Sequence, residues 1–433
     1  MLAPEASGAV ANTQMLYERW METARGRARE LALVEPDGGR RWTFGQLMAE
    51  GERGHRPAQP VLFPRGASSG FVLEVLRAWR HDLPCCPLEE GAAEPPLTRL
   101  PAAAQIKFTS ATTGGPRLIL FSGDQLAADA ANIVATMGLR PDWPNLGAIS
   151  LAHSYGFSNL ILPLLLHGIP LILTGAPLPA AVEEAARGHE AITLPAVPAL
   201  WRVWHETSSL PPNTRLALSA GAPLPIPLEQ AVFAARGLKI HNFYGSSECG
   251  GIAYDQSLTP RSDATCVGAP MNGVALAITG AQTLEVRGGA VGSGYWPECD
   301  ERLGAGRFET SDLAELRDGL VYLRGRAGDL INVAGRKISP DTVEQALLRH
   351  ERVRECLVFG VPEQAADRSE AVVACVAFRG AADVAGLRQF LLAILPAWQV
   401  PREWVVLQEL PANARGKVSR ASWRERYLAG KLG

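Results

Sequence analysis

Between residues 105 and 245, short apolar runs alternate with amphipathic helical stretches, and few folds accommodate that alternation. The runs are Ala148 to Ala152, Pro170 to Leu173, Ala191 to Leu194, Leu216 to Ser219 and Leu238 to Asn242. Strands at this spacing, separated by helices, predict an α/β fold with a largely parallel sheet. From 265 to 325 the pattern shifts to shorter strands with Gly-rich turns, for instance Thr283 to Arg287 and Leu320 to Arg324. That stretch predicts a mostly antiparallel, β-barrel-like subdomain. After Gly325 the pattern changes again. Ser339 is an N-cap followed by Pro340 at the first helical position, and the helix places Val343, Ala346 and Leu347 on one face. Strands over Glu355 to Phe359 and Ala371 to Phe378 and a helix near Val384 to Leu395 complete a small α+β module. The expected domains are therefore 1–326, containing the β-rich subdomain at about 265–325, and 327–433.

The length agrees with that division, since 433 residues exceed what one hydrophobic core usually organises. With 47% hydrophobic and 20% charged residues, there is ample material for buried cores. A net charge of -2 gives no broad basic face, so no nucleic-acid partner is expected. Seven scattered cysteines without a CxxC argue against a disulfide framework or a zinc site and for a reducing, cytoplasmic setting. The first residues show no basic segment followed by an apolar core, so no signal peptide is expected. Leu160 to Leu166 is the longest apolar stretch, but it is broken by Pro163 and too short for a bilayer. It reads as a buried helix leading into the strand at 170–173, and no membrane partner is expected. Nearer the start, Thr43 and Gln46 suit a capping box, while the Pro- and Ala-rich 80–104 reads as a connecting loop.

Several segments carry chemistry. Phe108 to Arg117 holds four hydroxyl residues (Thr109, Ser110, Thr112, Thr113), Gly114, Gly115 and a cation. Hydroxyls and exposed backbone N–H groups cradle polyphosphates, and glycines allow close approach. No Gly-Lys-Ser/Thr closes the loop, so it is not a Walker A motif, and taken alone such a segment is more often a polar surface turn than a nucleotide site. Asn242 to Glu248 follows a strand, where open α/β sheets bind ligands, and brings an amide, a ring, a hydroxyl and a carboxylate together. An aromatic and an amide can hold a purine, and a carboxylate can share Mg²⁺ with phosphate oxygens. Asp312, in Thr310-Ser311-Asp312, offers two oxygens to a ribose diol or simply caps a turn. Lys417 stands just past Gly416 near the C-terminus, as a solvated lysine or as a counter-charge to a reacting carboxylate.

The order and spacing of these segments, over about 104 to 420, resemble the adenylate-forming superfamily of acyl- and aryl-CoA ligases, luciferases and peptide-synthetase adenylation domains. The Thr-Ser-Gly-Thr-Thr-Gly-x-Pro-Lys loop appears as Thr109 to Arg117, and Tyr-Gly-x-Thr-Glu as Tyr244 to Glu248. Thr-Gly-Asp appears as Thr310 to Asp312, Gly-Arg-x-x-Asp-x-Ile as Gly325 to Ile331, and the closing Gly-Lys as Gly416-Lys417.

The resemblance implies two half-reactions: attack of a carboxylate on the α-phosphate of Mg-ATP, then transfer of the acyl group to a thiol. It implies that Thr109, Ser110, Thr112, Thr113 and Gly114 cradle phosphates, Ser247 reaches the α-phosphate and Glu248 holds Mg²⁺. Tyr244 would stack on adenine with Phe243 and Gly245 beside it, Asn242 would meet the amine edge, and Ala220, Gly221 and Ala222 would line the other side. Asp312 and Arg326 would hold the ribose, and Lys417 would bridge carboxylate and α-phosphate. The small C-terminal domain would then rotate about Gly328, where the family usually carries Asp or Lys, to admit CoA.

This chain departs from the family pattern in several places. Arg117 replaces a lysine and Ala111 a glycine, which implies a stiffer loop with bidentate phosphate contact. The phosphate loop begins several tens of residues earlier than in typical members, so the N-terminal region is shortened. A homodimer or a partner surface is one way to compensate. His153, Ser154 and Tyr155 match the segment beside the acyl pocket, and Gly250 and Gly251 would leave room for a flat ring or slim chain. Without an Asp there to pair an α-amine, an aryl or medium apolar acid is the expected substrate. Cys249 reads as a packing residue. The expected activity is acid–CoA ligation. Loading of a separate carrier protein and a non-catalytic nucleotide-binding relative are the alternatives.

Overall fold

The computed structural model describes residues 12–36, 39–97, 101–109, 117–363, 369–410 and 419–431. Its centre is a parallel ladder of Leu31–Val34, Leu171–Leu173, Asn145–Gly147, Ile192–Ala196, Thr214–Ser219 and Ile240–Ser246. These strands are short and almost wholly buried, as expected when helices cover both faces of a parallel sheet. At Ser246–Gly250 the chain reverses, and Gly250–Tyr254 pairs antiparallel with Ile240–Ser246. The ladder continues antiparallel through Cys266–Pro270, Leu320–Arg326, Arg307–Arg317, Thr283–Gly288 and Val274–Ile278. Parallel and antiparallel halves thus meet at the segment carrying Tyr244 to Glu248.

One expected strand is misplaced. The run 148–152 does not join the ladder; the strand is Asn145–Gly147, and a bend leads to the short helix Ser154–Gly156. Ala148 N already bonds Leu146 O at 3.0 Å, a tight turn that ends the pairing, and Gly156 packs on the Ser150 carbonyl so closely that a Cβ would stand 1.9 Å from its oxygen. This early exit lifts residues 150–155 above the strand ends.

Next, Phe157–Ile161 forms a π-helical turn that runs on into the α-helix Leu162–His167; Pro163 lacks the N–H for the carbonyl one turn back, and Asn159 O instead accepts from Asn145 Nδ2 at 3.1 Å. Leu160 to Leu165 are buried among Leu16, Trp20, Phe71 and Leu76 of the helices Thr13–Gly26 and Ser69–Arg80. The capping box at Thr43 forms and starts the helix Phe44–Gly51. No helix among the described residues is long and apolar enough to cross a membrane.

Beyond Asp329, the strands Val353–Pro362 and Glu370–Phe378 pair antiparallel, and Glu403–Leu407 lies parallel to the latter. Helices Pro340–Leu348 and Val384–Ile394 pack on this sheet around Val343, Leu347, Val358, Ala374, Leu387 and Leu391, a core separate from those of the preceding residues.

Candidate active site

The phosphate-loop segment is carried by a hairpin. Gln105–Thr109 pairs antiparallel with Arg117–Phe121, with Thr109 opposite Arg117. Ser110, Thr112, Thr113 and Gly114 lie outside the described residues, as does the side chain of Thr109. At the loop's exit, Arg117 Nη1 bonds Asp300 Oδ2 at 3.0 Å, and its guanidinium lies 5.0 Å from the centroid of the Tyr295 ring. In this arrangement Arg117 is engaged by a carboxylate and a ring. Arg302 and Arg117 together hold the Asp300 carboxyl well below the usual range.

Around the reversal at 246–250 the side chains converge. Tyr244 OH donates to Asp312 Oδ2 at 2.5 Å, and Arg326 Nε donates to Asp312 Oδ1 at 3.0 Å. Asp312 and Arg326 are cross-strand partners in the antiparallel ladder, so the sheet register itself brings them together. Burial, then the neighbouring Asp312 charge, raises the Tyr244 phenol well above its ordinary value and keeps it a donor. Asn242 is buried at the strand's inner end and Phe243 is 7% exposed, so Tyr244 and Gly245 are the parts of this segment that face outward. Ala220 is buried, whereas Gly221 and Ala222 are exposed, and Gly221 has a φ of +87° that favours glycine.

Ser247 and Glu248 are each held by a residue from elsewhere. Ser154 Oγ donates to Ser247 Oγ at 3.1 Å, joining the expected acid segment to the expected α-phosphate contact. Tyr295 OH donates to Glu248 Oε1 at 3.0 Å, while Glu248 N bonds Ser246 Oγ at 3.2 Å. A half-exposed carboxylate with one oxygen already oriented suits Mg²⁺, which takes one or two protein carboxylates and completes its shell with water and phosphate. Among the described residues no group of three or more His, Cys, Asp or Glu side chains is placed to hold a metal ion by itself.

The acid segment is close but its residues differ in role. Tyr155 donates to the Leu218 carbonyl at 3.3 Å, and its ring lies 5.8 Å from that of Phe243. Its hydroxyl is therefore engaged, and the ring is what it offers. His153 Nε2 lies 2.9 Å from Glu89 Oε1.

Gly250 does not make room for substrate. At a φ of +68° its missing Cβ leaves space for Asp129, whose Oδ1 would stand 2.1 Å from that atom. Asp129 is 2% exposed; it accepts from Ser158 Oγ at 2.5 Å and Gly251 N at 3.3 Å. Gly251 likewise faces Met271 Sδ, at 2.3 Å from a built Cβ, so the space beside both glycines is filled by protein.

Gly328 lies in the exposed 3-10 turn Ala327–Asp329, in a conformation any residue adopts, with nothing within 4 Å of a built Cβ. Its neighbour Asp329 bonds Arg420 Nη1 at 3.1 Å, and the same guanidinium binds Glu344 Oε2 at 2.7 Å and Asp341. Lys417 lies outside the described residues. Cys249 is buried with its thiol pushed up to about 12 by burial, which fits packing rather than nucleophilic chemistry.

Sequence reasoning missed Tyr295, Glu89, Asp129 and Lys107. Lys107 is 5% exposed with its ammonium 4.1 Å from the Phe121 centroid, and burial lowers its pKa. The one signal for it was a lysine between Ile106 and Phe108 in a short strand; Tyr295 and Glu89 belong to no motif.

A parallel sheet turning antiparallel at its ligand-binding edge, with a ring, two carboxylates and two hydroxyls gathered there, is the architecture of the adenylate-forming superfamily. The chain belongs to the AMP-binding enzyme family: that family matches residues 73–296, and the AMP-binding enzyme C-terminal domain matches 342–417. Among curated relatives, a sulfoacetate–CoA ligase of Cupriavidus necator is 29% identical over 361 residues, covering 78% of this chain and 70% of the relative. A 4-hydroxybenzoate–CoA/benzoate–CoA ligase of Rhodopseudomonas palustris is 28% identical, over 79% of this chain and 68% of its own length. ATP-bound MatB from Rhodopseudomonas palustris shares the fold with a TM-score of 0.85 at 21% identity, over 97% of this chain and 100% of that one.

Proposed function

We propose that this chain is an AMP-forming acid–CoA ligase that activates an aryl or medium apolar carboxylate. The observation that carries the reading is the cluster of Tyr244, Asp312 and Arg326, joined at 2.5 and 3.0 Å, next to Ser247 and Glu248. These groups fit a nucleoside with its phosphates: a ring face for the base, a carboxylate beside a guanidinium for the ribose, and hydroxyl and carboxylate oxygens toward phosphate and metal. Curated relatives named as CoA ligases for sulfoacetate and for benzoates support thioester formation with CoA.

Positioning is what this chain supplies to such a reaction. Tyr244 is held by Asp312, so its ring has one orientation when a base arrives. Ser247 is oriented by Ser154, which sets the donor for a phosphoryl oxygen and the wall of the acid site with one contact. Glu248, steadied by Tyr295, would hold Mg²⁺, which when bound would neutralise charge on the phosphates. Lys417 bridges the two reacting anions. Holding two anions in line and offsetting their charge supplies most of the effect in phosphoryl chemistry.

Tyr155, half-buried with its ring packed 5.8 Å from that of the buried Phe243, offers an aromatic surface that favours a ring or a slim apolar chain. The domains divide at 326/327, where the strand Leu320–Arg326 ends and the turn at Gly328 begins. Rotation there exchanges Lys417 for a thiol path.

Carboxylate-dependent ATP–pyrophosphate exchange across aryl and aliphatic acids tests the reading, with CoA or a carrier protein then supplied as acceptor. Exchange with benzoates or medium-chain acids and acyl transfer to CoA are expected. Transfer to the carrier alone would make this a loading enzyme, and no exchange with any acid would make it a non-catalytic relative. Lys417→Ala is expected to cut exchange about a hundredfold or more; undiminished exchange would remove that lysine from the reaction.

A further inference from the structure

The turn that carries His153 receives a carboxylate from far away in the chain. Glu89 lies between the helix Ser69–Arg80 and the strand Gln105–Thr109. Its Oε1 accepts from Ser150 Oγ at 2.5 Å and lies 2.9 Å from His153 Nε2. The backbone that holds it is well pinned. Arg65 Nη1 donates to the carbonyls of Glu89 and Ala92 at 2.9 and 2.8 Å, and Leu88 N bonds Pro64 O at 3.0 Å. Cys85, Cys86 and Leu88, just before it, are buried. Residues 85–92 are therefore more than a connector; they are a fixed platform that presents one carboxylate.

That carboxylate contacts the segment proposed to border the acid. His153 is followed directly by Ser154, whose hydroxyl is 3.1 Å from Ser247. The side chains of His153 and Glu89 remain 35% and 40% exposed, so the pair borders open space rather than core. A fixed negative charge at such a rim repels a second anionic group on an incoming acid and accepts a hydrogen bond from a hydroxyl or amine.

We propose that Glu89 is a specificity-determining residue of the acid site: it orients His153 and selects monocarboxylates, with neutral or hydrogen-bond-donating substituents, against acids carrying a second negative charge. This rests on the ligase reading above for the location of the acid.

Two variants separate charge from geometry. Glu89→Gln keeps an acceptor oxygen for His153 and Ser150 while removing the charge; Glu89→Ala removes both. Pyrophosphate exchange is measured with benzoate against benzene-1,4-dicarboxylate and with hexanoate against hexanedioate, alongside melting temperature. The natural chain is expected to prefer the monoacids. Glu89→Gln should raise kcat/KM for each diacid, relative to its monoacid, about tenfold and chiefly through KM. Glu89→Ala should instead lower kcat for both classes, because His153 loses its anchor. A diacid-to-monoacid ratio that moves less than about twofold in Glu89→Gln would overturn the proposal, as would a natural chain that prefers diacids. Saturation-transfer NMR of the same acids, with AMP present, reads their relative binding without turnover. If the natural chain exchanges with no acid, the ligase reading fails, and the binding ratio still decides Glu89 by the same criterion.

Discussion

Tyr244 reaches Asp312 across 68 positions of sequence, its phenol donating to Oδ2 at 2.5 Å. Each residue belongs to a separate motif, and the contact closes them into one site. The ring is held from its polar tip, which leaves its face available, and the carboxylate keeps Arg326 on its other oxygen at 3.0 Å. A preset ring lowers the ordering cost of binding a base.

Tyr244→Phe retains the ring and loses the tether. ATP affinity, followed by calorimetry or by KM in the exchange assay, is expected to fall by about tenfold to a hundredfold with kcat little changed, the scale of one hydrogen bond to a charged group. Asp312→Ala should cost more, since it also releases Arg326. Equal affinity in the natural chain and both variants would place the nucleoside elsewhere.

Gly250→Ala tests what that glycine is for. The variant forces a side chain into a left-handed backbone and to 2.1 Å from Asp129 Oδ1. A stability loss of about 2–4 kcal/mol is expected by chemical denaturation, with no change in acid preference. Asp129→Gly in the same chain should restore part of it. A stable Gly250→Ala protein with altered selectivity for acid size would return Gly250 to the substrate pocket.

Three half-buried histidines should each subtract stability as pH drops below neutrality, while Glu344, whose carboxyl burial raises to about 7, works in the opposite direction. Burial holds His241 below its ordinary value of 6.5, and Lys239 adds to this against the pull of Asp255 and Glu229. Its Nδ1 sits 2.8 Å from the Asp255 carbonyl, so that nitrogen carries the proton of a neutral ring. Burial also lowers His167 and His189. As pH falls through 6.5 the unfolded chain binds protons that the fold refuses, so unfolding becomes easier. Between about pH 7.5 and 5.5 the denaturation midpoint of the natural chain should fall relative to that of His241→Gln. A midpoint difference that stays constant with pH would contradict the burial argument for His241.

Alkylation of the native protein should distinguish the cysteines. Cys299 is exposed, whereas Cys85, Cys86, Cys249 and Cys375 are buried. Burial pushes the thiols of Cys86, Cys249 and Cys375 up to about 12, leaving little thiolate at neutral pH. Mass spectrometry after brief iodoacetamide treatment should find Cys299 modified first and Cys249 among the last. Early modification of Cys249 would mean that the 246–250 reversal opens readily.

Much of the fold was legible because local chemistry dictates it. The capping box at Thr43, the N-cap at Ser339 with Pro340, and the strands at 171–173 and 214–219 follow from turn chemistry and from apolar runs bounded by breakers. The strand assigned to 148–152 failed because its residues are as apolar as a strand's, while the turn at Leu146–Ala148 takes them out of the ladder. Apolar periodicity reports burial, and a buried loop over strand ends is buried too. Gly250 was misread for a related reason: a missing side chain marks a close approach without saying what approaches.

By itself the sequence determined the family, the parallel-then-antiparallel plan and the motifs Thr109 to Arg117, Tyr244 to Glu248 and Asp312, because each is a run of adjacent residues whose chemistry is local. The tertiary structure alone decided who holds whom: Tyr295 on Glu248, Ser154 on Ser247, Asp129 under Gly250 and Glu89 on His153. Those contacts join side chains that sheet register and helix packing bring within about 3 Å, and no spacing along the chain encodes a distance of that kind.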